Sequence, residues 1–335
     1  MTDSEDPAVR RTAGLLVLLP MLVLAACSSG SHVKSGPSSA PTSSAPAVPT
    51  AVASASPMPT VSGSFGSKAT ITIPSGQPSG QFVVTNVIDG DGATVNKGDW
   101  VTVNYTAKDW TSGKDLPSSY DAGSKPQLYQ AGGGQLVPAF DQSVLGRKVG
   151  SRVLVVAPPS AAFGSAGNQQ LGVGKDDTVV FALDIMQSVP QDSVVPGTNT
   201  QPPANQPQVK DNGKAAPTIT IPANTAPPAD LQTNVLIKGE GKPVQSGQSV
   251  VLQYTGVLWS NGQQFDSSWN HGGAQVLQIG TGSVIAGWDK GLVGQPVGSR
   301  VELVIPPSLG YGSTAQNGIP ANSTLVFVID ILEAV

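Results

Sequence analysis

Few side chains in these 335 residues could make or break a bond. There is one cysteine, Cys27, and there are two histidines, His32 and His271, which fall in stretches of very different character. With a single thiol beside them they cannot assemble a zinc or copper cluster, and both read as exposed loop residues. Asp89-Gly90-Asp91-Gly92 has the outline of a calcium loop. Its counterpart further on is Lys238-Gly239-Glu240-Gly241, and no bidentate glutamate follows at the required spacing, so the stretch reads as a turn. What remains is aromatic. Tyr254, Phe265, Trp288, Tyr311 and Phe327 gather in the last third of a chain whose aromatic content is only 5%. Each alone would serve to pack a core. Together, at points where strands end or turn, and taken with the residues around them, they say more than core packing.

The elements that must hold these residues are mostly strands. Charged residues make up only 12%, and 39 glycines and 29 prolines suit turns, short strands and linkers better than helices. The length fits two domains, and the formal charge of -4 lacks the positive surface that a nucleic acid partner requires. Internal echoes define the two copies. Ile71-Thr72-Ile73-Pro74 returns as Ile219-Thr220-Ile221-Pro222, VNYTAKDWTSGKDL from Val103 as LQYTGVLWSNGQQF from Leu252, VGSRVLVVAPPSAAFG from Val149 as VGSRVELVIPPSLGYG from Val297, and FALDIM from Phe181 as FVIDIL from Phe327. In the second copy residues 249–258 read as a strand leading into the turn Ser260-Asn261-Gly262-Gln263. Strands are also expected over 276–279, 300–305 and 324–332, with Val301, Leu303 and Ile305 alternating as in a half-buried strand. Only residues 284–292 have helical spacing, with Ile285, Trp288 and Leu292 on one side. Each copy is thus expected to be an α+β unit, one antiparallel sheet on one short helix.

The amino terminus reads as an address. Arg10 and Arg11 precede an apolar run that ends in Leu24-Ala25-Ala26-Cys27, the pattern of a secretory signal. Leu-Ala-Ala-Cys resembles a bacterial lipobox, which implies lipidation at Cys27 and a membrane-anchored protein on the extracytoplasmic face. The alternative is a plain cleaved signal with an incidental cysteine. The expected organisation is a signal peptide over 1–26, a disordered Ser/Pro/Ala-rich tether over 27–68, a first domain over 69–188, a Pro-rich linker over 189–216 and a second domain over 217–335.

The motifs of the second copy resemble the FKBP-type peptidyl-prolyl cis-trans isomerases: YTG at Tyr254, FDSS at Phe265, VIAGW ending at Trp288, IPPSLGYG ending at Gly312 and TLVFVIDIL from Thr324. The resemblance implies a sheet curved around a short helix. It further implies a shallow apolar pocket with Trp288 as its floor and Tyr254, Phe265 and Phe327 as its walls. Val284 and Ile285 would line the helix side, Ile285 offering its backbone N–H to a bound peptide, and Asp266 and Tyr311 would supply polar contacts. Such a pocket suits the turning of an X-Pro bond, whose resonance imposes a barrier of about 18–20 kcal/mol. The twisted amide has lost its charge separation and tolerates a dry site better than the planar one does. Neither metal nor cofactor is required. Proline-containing exported polypeptides are the implied substrates and macrolides such as rapamycin the implied inhibitors. A non-catalytic surface lipoprotein that binds proline-bearing segments is the alternative. In the first copy Leu116-Pro117 stands for Phe265-Asp266, Phe140 for the tryptophan and Phe163 for Tyr311, so weak or absent catalysis is expected there. Gln275 and Ser283 occupy positions where the family often has an aromatic and an acidic residue.

Overall fold

The computed structural model describes residues 49–316 and 318–335. The signal segment, Cys27 and the tether as far as residue 48 lie outside the described residues. In the first copy β1 (Thr60–Ser62) pairs with β2 (Thr70–Thr72). A six-stranded antiparallel sheet follows: β3 (Val83–Ile88), β4 (Trp100–Asp109), β5 (Asp115–Leu116), β6 (Gln127–Gln130), β7 (Arg152–Ala157) and β8 (Val179–Val189). One helical turn, α1 (Pro138–Asp141), packs on its inner face. The second copy repeats the plan. β9 (Gln208–Asn212) pairs with β10 (Ala215–Thr220), and β11 (Gln232–Ile237), β12 (Gln248–Leu258), β13 (Gln264–Ser267), β14 (Gln275–Ile279), β15 (Arg300–Ile305) and β16 (Leu325–Ala334) form the sheet around α2 (Ala286–Leu292). Strand orders are β3-β7-β8-β4-β5 and β11-β15-β16-β12-β13, with β6 on β4 and β14 on β12.

The strand, turn and helix expectations hold for the second copy, with two differences. The helix starts at Ala286, because Ile285 is extended at φ -60°, ψ 145°. Strand β15 is buried on both faces and not on one. The reason for the second difference also corrects the domain plan. Residues 60–62 of the expected tether and 208–212 of the expected linker are strands, and each hairpin they begin lies on the outer face of its own sheet. Ile71, with Met58 and Val61 beside it, covers Leu154, Val156, Val180 and Ala182. Val209, Ile219 and Ile221 cover Leu236, Val257, Val304, Val326 and Val328. A Ser/Pro/Thr-rich composition concealed the few alternating apolar residues that make these hairpins worth ordering.

A buried ion pair marks the same place in both copies. Arg152 Nε and Nη2 donate to Asp184 at 2.6 and 2.7 Å, and Arg300 does the same to Asp330 at 2.6 and 2.8 Å. Paired forks of this kind are shorter and stronger than neutral hydrogen bonds. Each arginine also reaches its hairpin, Arg152 through the carbonyls of Gly63 and Ser67, Arg300 through Asp211 at 3.5 Å. The peptide N–H of Val195 donates to Asp330 at 2.9 Å. Residues 189–216 therefore do more than space the domains.

Glu302 breaks the symmetry. It stands on β15 at the position of Leu154, takes one hydrogen bond from Asn234 at 3.0 Å, and its second carboxylate oxygen is buried without a partner among the described residues. Burial pushes its pKa up to about 7. An acid raised in the folded state binds its proton more tightly there than in the unfolded chain, so stability falls as pH climbs from the ordinary glutamate range toward the raised value. Denaturant titrations of the full chain should lose on the order of 2–4 kcal/mol between about pH 5 and 8 through this group. In Glu302→Gln that part of the pH dependence should vanish, and an unchanged slope would show that the carboxylate is not responsible.

Candidate active site

The site begins with the seating of α2. A Cβ at Gly287 would come within 2.5 Å of Ile305, and one at Gly291 within 2.5 Å of Leu303, so only glycine lets the helix lie this close to β15. Trp288, between them, is driven into the gap. Its indole meets Phe327 edge-on at 5.1 Å and Tyr254 at 5.3 Å, and Phe265 closes on Phe327 at 5.4 Å. Such perpendicular contacts are the favoured arrangement of aromatic quadrupoles. Gly256 on β12 makes room for the wall, since a Cβ there would stand 2.6 Å from Phe327 and 2.7 Å from Phe265.

Above the indole lies an open cavity of ≈ 750 Å³. Every sequence-expected site residue lines it: Tyr254, Phe265, Asp266, Val284, Ile285, Trp288, Tyr311 and Phe327. Trp288 is only 4% exposed, and that remnant is the cavity floor. Its Nε1 is buried with no hydrogen-bond partner among the described residues. The lead-in to α2 leaves the Ile285 N–H without a protein acceptor among the described residues. Asp289 ties down the loop before it by accepting from Gly280 at 2.6 Å and Gly282 at 2.8 Å. Tyr311, 37% exposed, stands at the open side. Burial first, and then the charge of Asp266, push its hydroxyl pKa upward, so it remains a donor.

Asp266 is more heavily engaged than its sequence position suggests. One carboxylate oxygen takes the Tyr254 hydroxyl at 2.8 Å, and the other takes the Ser267 N–H at 2.8 Å and meets His271 Nε2 at 2.7 Å. Burial, then the bond to Asp266, hold the Tyr254 pKa above the usual tyrosine range. His271, expected as a mere loop residue, belongs to the cavity lining, as do Leu277, Gly282, Ser283, Gln316 and Ile319. The available signal for His271 was its place five residues after Asp266 in a short loop. Gln275 turns away instead, donating to the carbonyls of His271 and Gly273. The loop carrying His271 is clasped by the first copy, by the connecting segment and by the second copy's own hairpin. Ala274 donates to the Gln191 carbonyl at 2.9 Å and accepts from the Trp100 indole at 2.7 Å, while the Trp269 indole donates to Lys214 at 2.8 Å.

The first copy fills the same space. Phe140 stands in for Trp288 and is fully buried, with Tyr105 at 5.3 Å, Phe181 at 5.2 Å and Tyr129 at 6.3 Å around it. Tyr129, which occupies the position of Leu277, fixes its hydroxyl on the Phe140 carbonyl at 3.1 Å. Pro117 provides no carboxylate opposite Tyr105.

The family model described as FKBP-type peptidyl-prolyl cis-trans isomerase matches residues 92–186 and 240–332, together more than half of the chain. An FK506-binding protein of Streptomyces anulatus is 43% identical over 118 residues, 35% of this chain and 94% of that protein. A probable FK506-binding protein of Corynebacterium glutamicum is 40% identical over 118 residues, 35% of this chain and 98% of its own. The solved three FKBP domains of wheat FKBP73 align over 77% of this chain and 96% of that one, at 21% identity and a TM-score of 0.32. Two matched domains of one kind, the second lined by an aromatic cavity, place this chain in the family of FKBP-type peptidyl-prolyl cis-trans isomerases.

Proposed function

We propose that prolyl isomerisation is carried by the second copy, and that the first copy is weak or inactive. The observation that carries this reading is the contrast at one position: Trp288 floors an open cavity, whereas Phe140 is closed over by its neighbours. A prolyl ring laid on the indole leaves water behind, and the flanking amide then sits in a site that favours its twisted, less polar form. The Ile285 N–H and the Tyr311 hydroxyl supply directed hydrogen bonds at the rim. A gain of a thousand- to ten-thousandfold asks for only about 4–6 kcal/mol, within reach of burial plus such bonds. Macrolides of the FK506 and rapamycin type would compete for the same aromatic walls.

The place of action is proposed from the amino terminus. Arg10-Arg11, the apolar run and Leu24-Ala25-Ala26-Cys27 support export and lipidation, which would put the enzyme at the outer face of the cell membrane among newly exported chains. Slow proline steps there would otherwise leave such chains exposed to aggregation.

In the full chain, Trp288→Leu should lower kcat/KM on a leucyl-prolyl peptide about 10- to 100-fold and Tyr311→Phe about 5- to 30-fold, read in a proline-isomerisation assay. Turnover unchanged by both would leave only a binding module. The first-copy change Tyr105→Phe should alter kcat/KM by less than about twofold. For the anchor, Cys27→Ser should move the protein from the membrane fraction to the soluble one. Retention of the serine variant in the membrane would remove lipidation from the account.

A further inference from the structure

A second property of this cavity follows from its charges. Its lining holds one carboxylate, Asp266, and one imidazole, His271, and among the described residues no lysine or arginine. The two groups are 2.7 Å apart, and the imidazole side chain is 52% exposed. Among the described residues no other group on the Asp266 carboxylate can carry a positive charge, since its remaining partners are the Tyr254 hydroxyl and the Ser267 N–H. Further titratable and charged groups stand on the elements beside the pair. Tyr254 and Tyr311 face Asp266 from β12 and from the loop after β15. Asp289 on α2 is held by the N–H groups of Gly280 and Gly282. Lys214, whose carbonyl binds Trp269, has its ammonium on Asp192 at 2.7 Å.

Imidazoles ordinarily change charge between about pH 5 and 8. With the imidazole protonated, the pair is close to neutral. Without the proton, a carboxylate stands uncompensated at the rim. A prolyl ring seated on Trp288 leaves its neighbours along the chain at that rim, where a charge is felt through a partly desolvated medium. We propose that His271 is a specificity-determining residue: it sets the charge the cavity shows to residues beside proline, so that basic neighbours are favoured when the imidazole is neutral and the preference is lost when it is protonated. The inference rests on the second copy being the catalytic one. It places the preferred neutral-pH substrates among lysyl- and arginyl-prolyl segments.

The test uses the full chain and three peptides that differ only in the residue before proline: lysine, glutamate or leucine. Between about pH 5.5 and 8.5 both charged side chains stay charged, so the peptides contribute no titration of their own. In the wild-type protein the ratio of kcat/KM for lysyl-prolyl over glutamyl-prolyl should rise about three- to tenfold across that range. His271→Arg keeps a cation at every pH, so its ratio should stay flat at the wild-type low-pH value. His271→Gln keeps a neutral donor, so its ratio should stay flat at the wild-type high-pH value. A wild-type ratio that does not move, or a His271→Gln ratio that still swings, overturns the assignment. The leucyl-prolyl peptide keeps the two readings apart. If wild-type turnover of that peptide is intact while the charged ratio is constant, only the role of His271 falls, whereas absence of turnover on all three peptides removes the catalytic reading of the second copy.

Discussion

The nearness of α2 to β15 is the constraint on which the site depends. Two glycines on the contacting face of the helix remove the only atoms that would hold it away from Leu303 and Ile305. With the helix that close, the side chain between them has nowhere to go but under the aromatic walls. The indole is then fixed from below by packing and from the sides by edge-on rings, and only its upper face is left unsatisfied. A rigid dry surface of this kind needs no moving part, because protein interiors packed at this density resist deformation. The open aromatic floor is thus a by-product of how a short helix is seated.

The duplicated copies show how little separates an open hollow from a filled one. Both have the same strand order, the same buried arginine fork and the same carboxylate tying the loop before the helix. In the first copy that loop is held by Asp141, which accepts from Gly134. Tyr129 and Phe140 take up the space that Leu277 and Trp288 leave open. Exchanging a wide flat indole for a phenyl ring, and a leucine for a tyrosine, converts a surface into an interior without disturbing the sheet. The first copy still bears on the second. Its Trp100, with Gln191 beyond it, grips the loop that carries His271, so the filled domain contributes to the shape of the rim of the open one.

Much of this was legible in the residues. The second copy's strands follow their β-branched runs, its turn falls at Asn261-Gly262, and the five aromatics converge as their motifs imply. What stayed hidden depends on contacts between distant segments. His271 joins the site because the loop after β13 folds back over Asp266, and its place five residues further along is the one faint local hint of that return. The outer hairpins were masked by composition: serine, proline and threonine dominate the count, yet Val61 and Ile71, and likewise Val209 and Ile219, alternate toward a sheet that appears only in three dimensions. Pro117 and Phe140, by contrast, disclosed the state of the first pocket directly, since they change the chemistry of single known positions.

The outer hairpins make the inherited module longer than the enzyme fold inside it. In the second copy it reaches back at least to Val195, whose N–H caps Asp330. Severing the polypeptide at Pro217 would split β10, discard β9 with Val209 and Asp211, and bare an oily flank of Leu236, Val304, Val326 and Val328. A fragment trimmed to the family's usual outline would therefore be sticky, because the added hairpin, and not the pairing of two domains, keeps that flank covered.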